Sequence, residues 1–245
     1  MPVTDEIRHA PDLSLYGGED PRDLPRYTYR DAAVATGVPF STVRAWLRGT
    51  SWTYKKGRRR FQPVIVPPDP DDPRLSFYNI VEIQALRALR VHHNVQLGYV
   101  RQALSVAEKQ FSIDRLLRSP KLLTSAGQLF VETYAGYVDL SPAQQLAMQV
   151  MLQQYMTRVR FDTSEQPFEF YPIERLTENQ GRKLILVTPF TSFGAPIVKS
   201  VGVSTFAIAE RVNSRENPQS IIQDYGLQDY EFREAIAYEG TPIAA

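Results

Sequence analysis

The chain has 245 residues, 43% of them hydrophobic and 22% charged, with 28 Lys and Arg balanced by 27 Asp and Glu. That is enough apolar material for one large or two smaller folded domains, and the absence of Cys excludes disulfides and thiolate metal sites. No apolar run approaches the about 20 residues of a membrane helix, and the polar, acidic start MPVTDEIRHAPDLSLYGGEDPRD has no signal-peptide core, so a soluble cytoplasmic protein is expected.

Residues 1–24, rich in Asp, Pro and Gly, read as a loose arm. The next stretch, residues 26–60, holds nine Arg or Lys against one acid, Asp31, although the whole chain is nearly neutral. Charge gathered in one small module suggests a polyanionic partner. Thr28 can cap a helix that starts at Tyr29, with Asp31 at the reciprocal capping position. Gly37 stands where a helix C-terminal Gly belongs. Pro39 and Ser41 open a second helix running to Gly49, with Phe40, Val43, Trp46 and Leu47 as its buried stripe. Arg44 and Arg48 fall on the opposite side. Two like charges four residues apart are unfavourable in an isolated helix, and a phosphate backbone reverses that cost. SWTYKKGRRRF then reads as a β-hairpin with Lys56-Gly57 at its turn and basic residues at its tip. A solvated basic surface is the plainer alternative. Against it stand seven basic residues (Arg44, Arg48, Lys55, Lys56, Arg58, Arg59 and Arg60) with no acid among them.

A Pro- and Asp-rich stretch from Pro63 to Arg74 reads as a linker or extended loop. A helix follows over about 76–92, with Ile80, Ile83, Leu86 and Leu89 on one face. Asn94 can cap the next helix, where Leu97, Val100, Leu104 and Phe111 recur at helical steps. The two should complete the N-terminal core against the helix that Pro39 and Ser41 open. GQLFVETYAGYVDL reads as two short strands around Ala135-Gly136. Ser141-Pro142 then opens a helix to about Arg160, with Leu152, Tyr155, Met156 and Val159 as its stripe. FEFYPI, 168–173, reads as a strand.

From Arg182 onward KLILVTP is a buried strand and FGAPIVKSVGVST carries a second. Three short helices follow: Thr205 to Asn213, Pro218 to Asp224 and Asp229 to Glu239. The last two have a helix-turn-helix outline with Gly226 at the turn. Residues 205–245 hold seven acids against three Arg, which argues against phosphate contact and for oligomerisation or partner binding. The surplus apolar residues Phe190, Phe193, Pro196, Ile197, Val203 and Phe206 are candidates for a subunit or partner interface.

Two regions resemble known families. Residues 27–111 look like the winged helix-turn-helix of MerR-type regulators, through YTYRDAA, TGVPFSTVRAWLRG, IVEIQALRALR and the Leu97, Val100, Leu104 helix. The resemblance implies that the second helix enters the major groove with the hairpin flanking it. The Pro-rich insertion at 67–73 and the missing coiled-coil helix and Cys sensors depart from that pattern. Residues 184–239 resemble the family called domain of unknown function four hundred thirty-three, through ILVTPFTSFGAPIV, GVST, IAERV and PQSIIQDYGLQDYEFREAIAY. Ser200-Val201-Gly202 stands where that family has Gly-Thr-Arg. The combination is similar to the larger VapB-type antitoxins and implies a PIN-like toxin ribonuclease as partner.

The expected fold is mainly α with small β elements (α+β). Its parts are a flexible arm (1–24), a winged helix-turn-helix (25–111), a middle α/β segment (112–181) and a small three-helix C-terminal domain with a short β-hairpin (182–245). An enzyme is not expected: His9, His92 and His93 form no site, adjacent helical residues pointing about 100° apart, and neither a nucleophile motif nor a Gly-rich phosphate loop is present. No cofactor or metal is implied. The expected function is an antitoxin that binds double-stranded operator DNA as a homodimer and neutralises a PIN-like toxin. Ser41, Thr42, Arg44 and Arg48 are assigned to the groove, and Lys55, Lys56, Arg58, Arg59 and Arg60 to phosphates. The alternative is a stand-alone regulator with a small-molecule pocket in the 125–175 region.

Overall fold

The structure is a computed structural model that describes residues 13–48, 51–54, 57–60, 63–69, 71–90 and 96–240, with 51–54 and 57–60 as backbone only. Gly49, Lys55, Lys56, Phe61 and Asn94 lie outside the described residues. Among the described residues there are nine α-helices and six short strands, a mainly helical α+β arrangement. None of these helices is long and apolar enough to cross a membrane. The chain divides into two compact units, residues 1–167 and 168–245.

The first unit opens with α1 (Tyr29–Thr36) and α2 (Phe40–Arg48), followed by the antiparallel strands β1 (Ser51–Tyr54) and β2 (Gly57–Arg60). Its centre is α3 (Phe77–Arg90), whose apolar residues are buried on every side, with Phe77, Ile80, Val81 and Ile83 all at 0% exposure. Helix α3 packs on α1 and on α6 (Pro142–Met156), while α4 (Leu97–Phe111) packs on α5 (Ser125–Val138). Paired backbone bonds between Tyr27 and Leu75 tie the segment before α1 to the segment before α3.

Four sequence expectations need correction. Residues 125–138 form the helix α5, not two strands. Its buried residues Ala126, Phe130, Val131, Tyr134 and Ala135 follow helical spacing, and packing against α4 overrides the strand preference of Val, Tyr and Phe. Ala135-Gly136, the expected turn, lies inside the helix, and Gly127 has a packing role. A Cβ on it would stand 1.7 Å from the Leu122 carbonyl oxygen, so it allows α5 to lie against the preceding 3-10 turn. Helix α6 ends at Met156, and Val159 belongs to β3 (Val159–Phe161). Phe40 and Phe111 are exposed, at 51% and 42%, because each sits at an end of its helix beyond the buried stripe.

The second unit begins within β4 (Pro167–Phe170). Phe170 exchanges backbone hydrogen bonds with Val187, and β5 (Ile185–Leu186) pairs antiparallel with β6 (Ile197–Val198). Tyr171, Leu186 and Ile197 pack together beneath this small sheet. Helices α7 (Thr205–Asn213), α8 (Pro218–Tyr225) and α9 (Asp229–Glu239) follow, α7 packing on both α8 and α9. Their starts and stops are local: Ser204 and Asn217 cap α7 and α8, and Gly226 and Gly240 take left-handed conformations after α8 and α9.

Candidate nucleic-acid interface

Helix α1 begins in a closed capping box. The Thr28 Oγ accepts from the Asp31 amide at 3.1 Å, and the Asp31 carboxylate accepts from the Thr28 amide at 2.8 Å. The one acid of the basic segment is thereby committed to a helix end. Helix α1 stops at Gly37, whose φ of 66° is the left-handed conformation that favours Gly. A second reason for Gly comes from α3. The Arg87 guanidinium donates to the Thr36 carbonyl, and a Cβ on Gly37 would lie 2.6 Å from Arg87 Nη1. Arg87 also stacks 5.4 Å over the Tyr155 ring of α6. The turn between α1 and α2 is thus clamped by the unit's central helix.

Helix α2 has two distinct faces. Val43, Trp46 and Leu47 are buried. Ser41, Arg44 and Arg48, spaced three and four apart, are exposed, and Thr42 is half-buried beside them. Arg44 makes no ion pair or hydrogen bond with the described residues. Arg48 differs: its guanidinium lies 5.7 Å over the Tyr29 ring, which has Phe40 on another side at 6.5 Å between centroids. That contact holds Arg48 toward α1. The amides of Val64 and Ile65, a few residues after β2, donate to the Trp46 carbonyl and anchor that segment to the end of α2. In the hairpin, Arg58, Arg59 and Arg60 pair with Thr53, Trp52 and Ser51. The exposed face of α2 and a strand of consecutive Arg therefore follow one another within a short stretch of chain. Tyr29 and Arg87 were missed by the sequence argument. The signal for Arg87 was a cation four residues after Ile83, in a helix with almost no other charge on its buried faces.

Behind the interface, three buried or half-buried charges are paired. Glu82 of α3, its side chain 3% exposed, receives Arg115 Nε at 2.6 Å and Nη2 at 2.7 Å. Arg22 bridges Asp20 and Asp162, each at 2.8 Å. Burial pushes the Asp20 carboxyl up, but its hydrogen bonds with Arg22 outweigh that and hold it below the usual carboxylate range.

In the second unit Phe193 and Phe206 are exposed, at 84% and 64%. Phe193 and Ser192 both have positive φ, 51° and 49°. Phe190, Pro196 and Val203 are half-buried. Ile197 is a core residue at 4% exposure, on β6, so it has no surface to offer a partner. The acidic surface is smaller than the composition suggested. Glu234 is fully buried and accepts from the Leu176 amide and the Asn179 side chain, Glu231 closes the cap of α9, and Glu216 and Asp224 both pair with Arg211.

No family model matches the chain. The Mycobacterium tuberculosis protein Rv2308, described only as uncharacterized, is 22% identical over 230 residues, spanning 88% of this chain and 90% of the relative. The crystal structure of Rv2018, also from Mycobacterium tuberculosis, is similar with a TM-score of 0.64 at 18% identity over 87% of this chain and 98% of that one. That likeness is one of fold.

Proposed function

We propose that residues 25–111 act as a winged helix-turn-helix that binds double-stranded operator DNA, with α2 in the major groove and β1–β2 against the backbone. The observation that carries the reading is Arg44: an exposed cation on the outer face of a helix buried on its other side, with no acidic partner among the described residues. An Arg in that position can reach a guanine edge bidentately. The consecutive Arg of β2 suit phosphates, which add affinity without sequence preference. The fuller reading, resting on the family resemblance, is a cytoplasmic type II antitoxin that binds DNA as a homodimer and neutralises a PIN-like ribonuclease through residues 182–245. The exposed Phe193 and Phe206 support a partner surface there.

The test is fluorescence anisotropy with the DNA upstream of the chain's own gene. Arg44→Ala should weaken binding by about 1–3 kcal/mol and relax sequence preference. Arg59→Ala should weaken all sequences alike and reduce the salt slope by about one. Unchanged affinity in both variants removes the DNA reading. If the product of the adjacent gene is harmless when expressed alone, the antitoxin reading gives way to a stand-alone MerR-like regulator with a small-molecule pocket.

A further inference from the structure

Within the first unit, a cleft of about 340 Å³ opens between the segment after α4 and the turn after β3. Its lining is mainly polar and includes two cations, Arg118 and Lys121, two acids, Asp114 and Glu165, and the hydroxyls of Ser112, Ser119 and Ser164. Arg118 is the residue that sets its chemistry. The Arg118 side chain is 19% exposed, and its guanidinium carbon stands 3.9 Å from the centroid of the Tyr78 ring. The nearest carboxylate, on Asp114, is 3.6 Å away and 86% exposed, beyond hydrogen-bonding reach. No described residue offers the guanidinium a hydrogen-bond acceptor. A guanidinium stacked on a ring, lining an open cleft and held only by one loose ion pair keeps its donors free for an anion that enters the cleft.

The surroundings explain why no neighbouring acid satisfies it. Asp20 and Asp162 are both held by Arg22, and Glu82 is held by Arg115. The Tyr78 hydroxyl lies 3.1 Å from Asp20 and 3.2 Å from Gln166, which fixes the ring on which Arg118 stacks. Lys121 adds a second cation to the cleft, in a 3.4 Å pair with Glu165 between two half-exposed side chains. Such a pair is weak in water and easily exchanged. The rim is built from two chain reversals: Ser112 ends α4 as its left-handed C-cap, and Glu165 sits in the turn closed by Asp162 and Gln166.

We infer that this cleft binds a small polar molecule carrying an oxyanion, a carboxylate or a phosphate, which Arg118 grips through its planar fork while Lys121 leaves Glu165 to add the second contact. The serine hydroxyls favour a ligand that is itself hydroxylated or otherwise polar. The cleft lies apart from Arg44 and the hairpin in sequence, and the inference does not depend on DNA binding.

The experiment is calorimetric titration of the full chain with inorganic phosphate and, separately, with citrate, at ionic strength held constant with sodium chloride. Saturable binding of at least one probe is expected, and the tighter of the two identifies the oxyanion class. Arg118→Gln should weaken it at least tenfold. Arg118→Lys, which keeps the charge and loses the fork, should weaken it by less. Lys121→Gln, a half-exposed position whose loss does not threaten folding, should weaken it several-fold, and Arg44→Ala should leave it unchanged. The inference is overturned if neither probe saturates, or if Arg118→Lys and Lys121→Gln both bind as tightly as the parent. It is overturned equally if Arg44→Ala abolishes binding while Arg118→Gln retains it, since the anion then belongs to the basic module.

Discussion

Replacing Gly37 by Ala tests whether the turn before α2 is held by α3. Two costs are separable. The left-handed backbone at φ 66° disfavours any residue with a Cβ by about 1–2 kcal/mol. The new Cβ would also stand 2.6 Å from Arg87 Nη1. The end of a flexible side chain can move aside, but moving it breaks the bond to the Thr36 carbonyl, a charged hydrogen bond worth about 1.5–3 kcal/mol. Gly37→Ala should therefore destabilise the module by about 2.5–5 kcal/mol, the sum of the backbone and hydrogen-bond terms. Arg87→Met removes the same bond, together with the Tyr155 contact, and leaves the backbone term untouched. Because either change breaks that one bond, the double mutant should fall short of additivity by about 1.5–3 kcal/mol. The assay is urea unfolding of the full chain followed by Trp fluorescence. The chain has 2 Trp, Trp46 and Trp52, both in this module, so the signal reports the module rather than the whole chain. Additivity within about 0.5 kcal/mol, the range for independent sites, would refute the clamp.

Other outcomes follow from the same structure. Gln84 of α3 is fully buried and neither of its amide atoms has a hydrogen-bond partner; Gln84→Met should raise stability by about 1–2 kcal/mol in the same unfolding assay, and a loss of stability would mean the amide has a partner after all. The Asp20 carboxyl is held below its ordinary value of 3.8. The folded state therefore favours its ionised form, so the stability it contributes is present above that value and is lost as pH falls through the lowered folded value. Asp20→Asn should flatten the acid limb of a stability–pH profile, and an unchanged limb would show that Asp20 is not the group responsible. Phe193→Ser, at a position 84% exposed, should leave unfolding almost unchanged while weakening self-association or partner capture, read by light scattering with and without the product of the adjacent gene; equal association by parent and variant would remove Phe193 from any interface.

Much of the candidate interface was legible in the sequence because its signals are satisfied within a few residues. Thr28 and Asp31 close their box across one turn, Gly37 ends α1 through its own backbone conformation, and Val43, Trp46 and Leu47 mark the inner face of α2 by spacing alone. The C-terminal helices were equally readable, since Ser204, Asn217-Pro218 and Gly226 act on adjacent amides and carbonyls. What lay outside the sequence's reach depends on which element approaches from far along the chain. Residues 125–138 carry strand-forming side chains, and they are helical because α4 offers a face to bury them and Gly127 lets the backbone close on Leu122. Phe40 is apolar yet exposed, because no described element covers the outer end of α2, whereas Glu234 is charged yet buried, because the segment at 175–179 brings donors to it. Arg87 reads as one more surface cation until α3 is laid against α1. Local hydrogen bonding and side-chain periodicity are properties of a segment. Burial, and with it the difference between a core residue and a surface available for binding, is a property of the assembled unit.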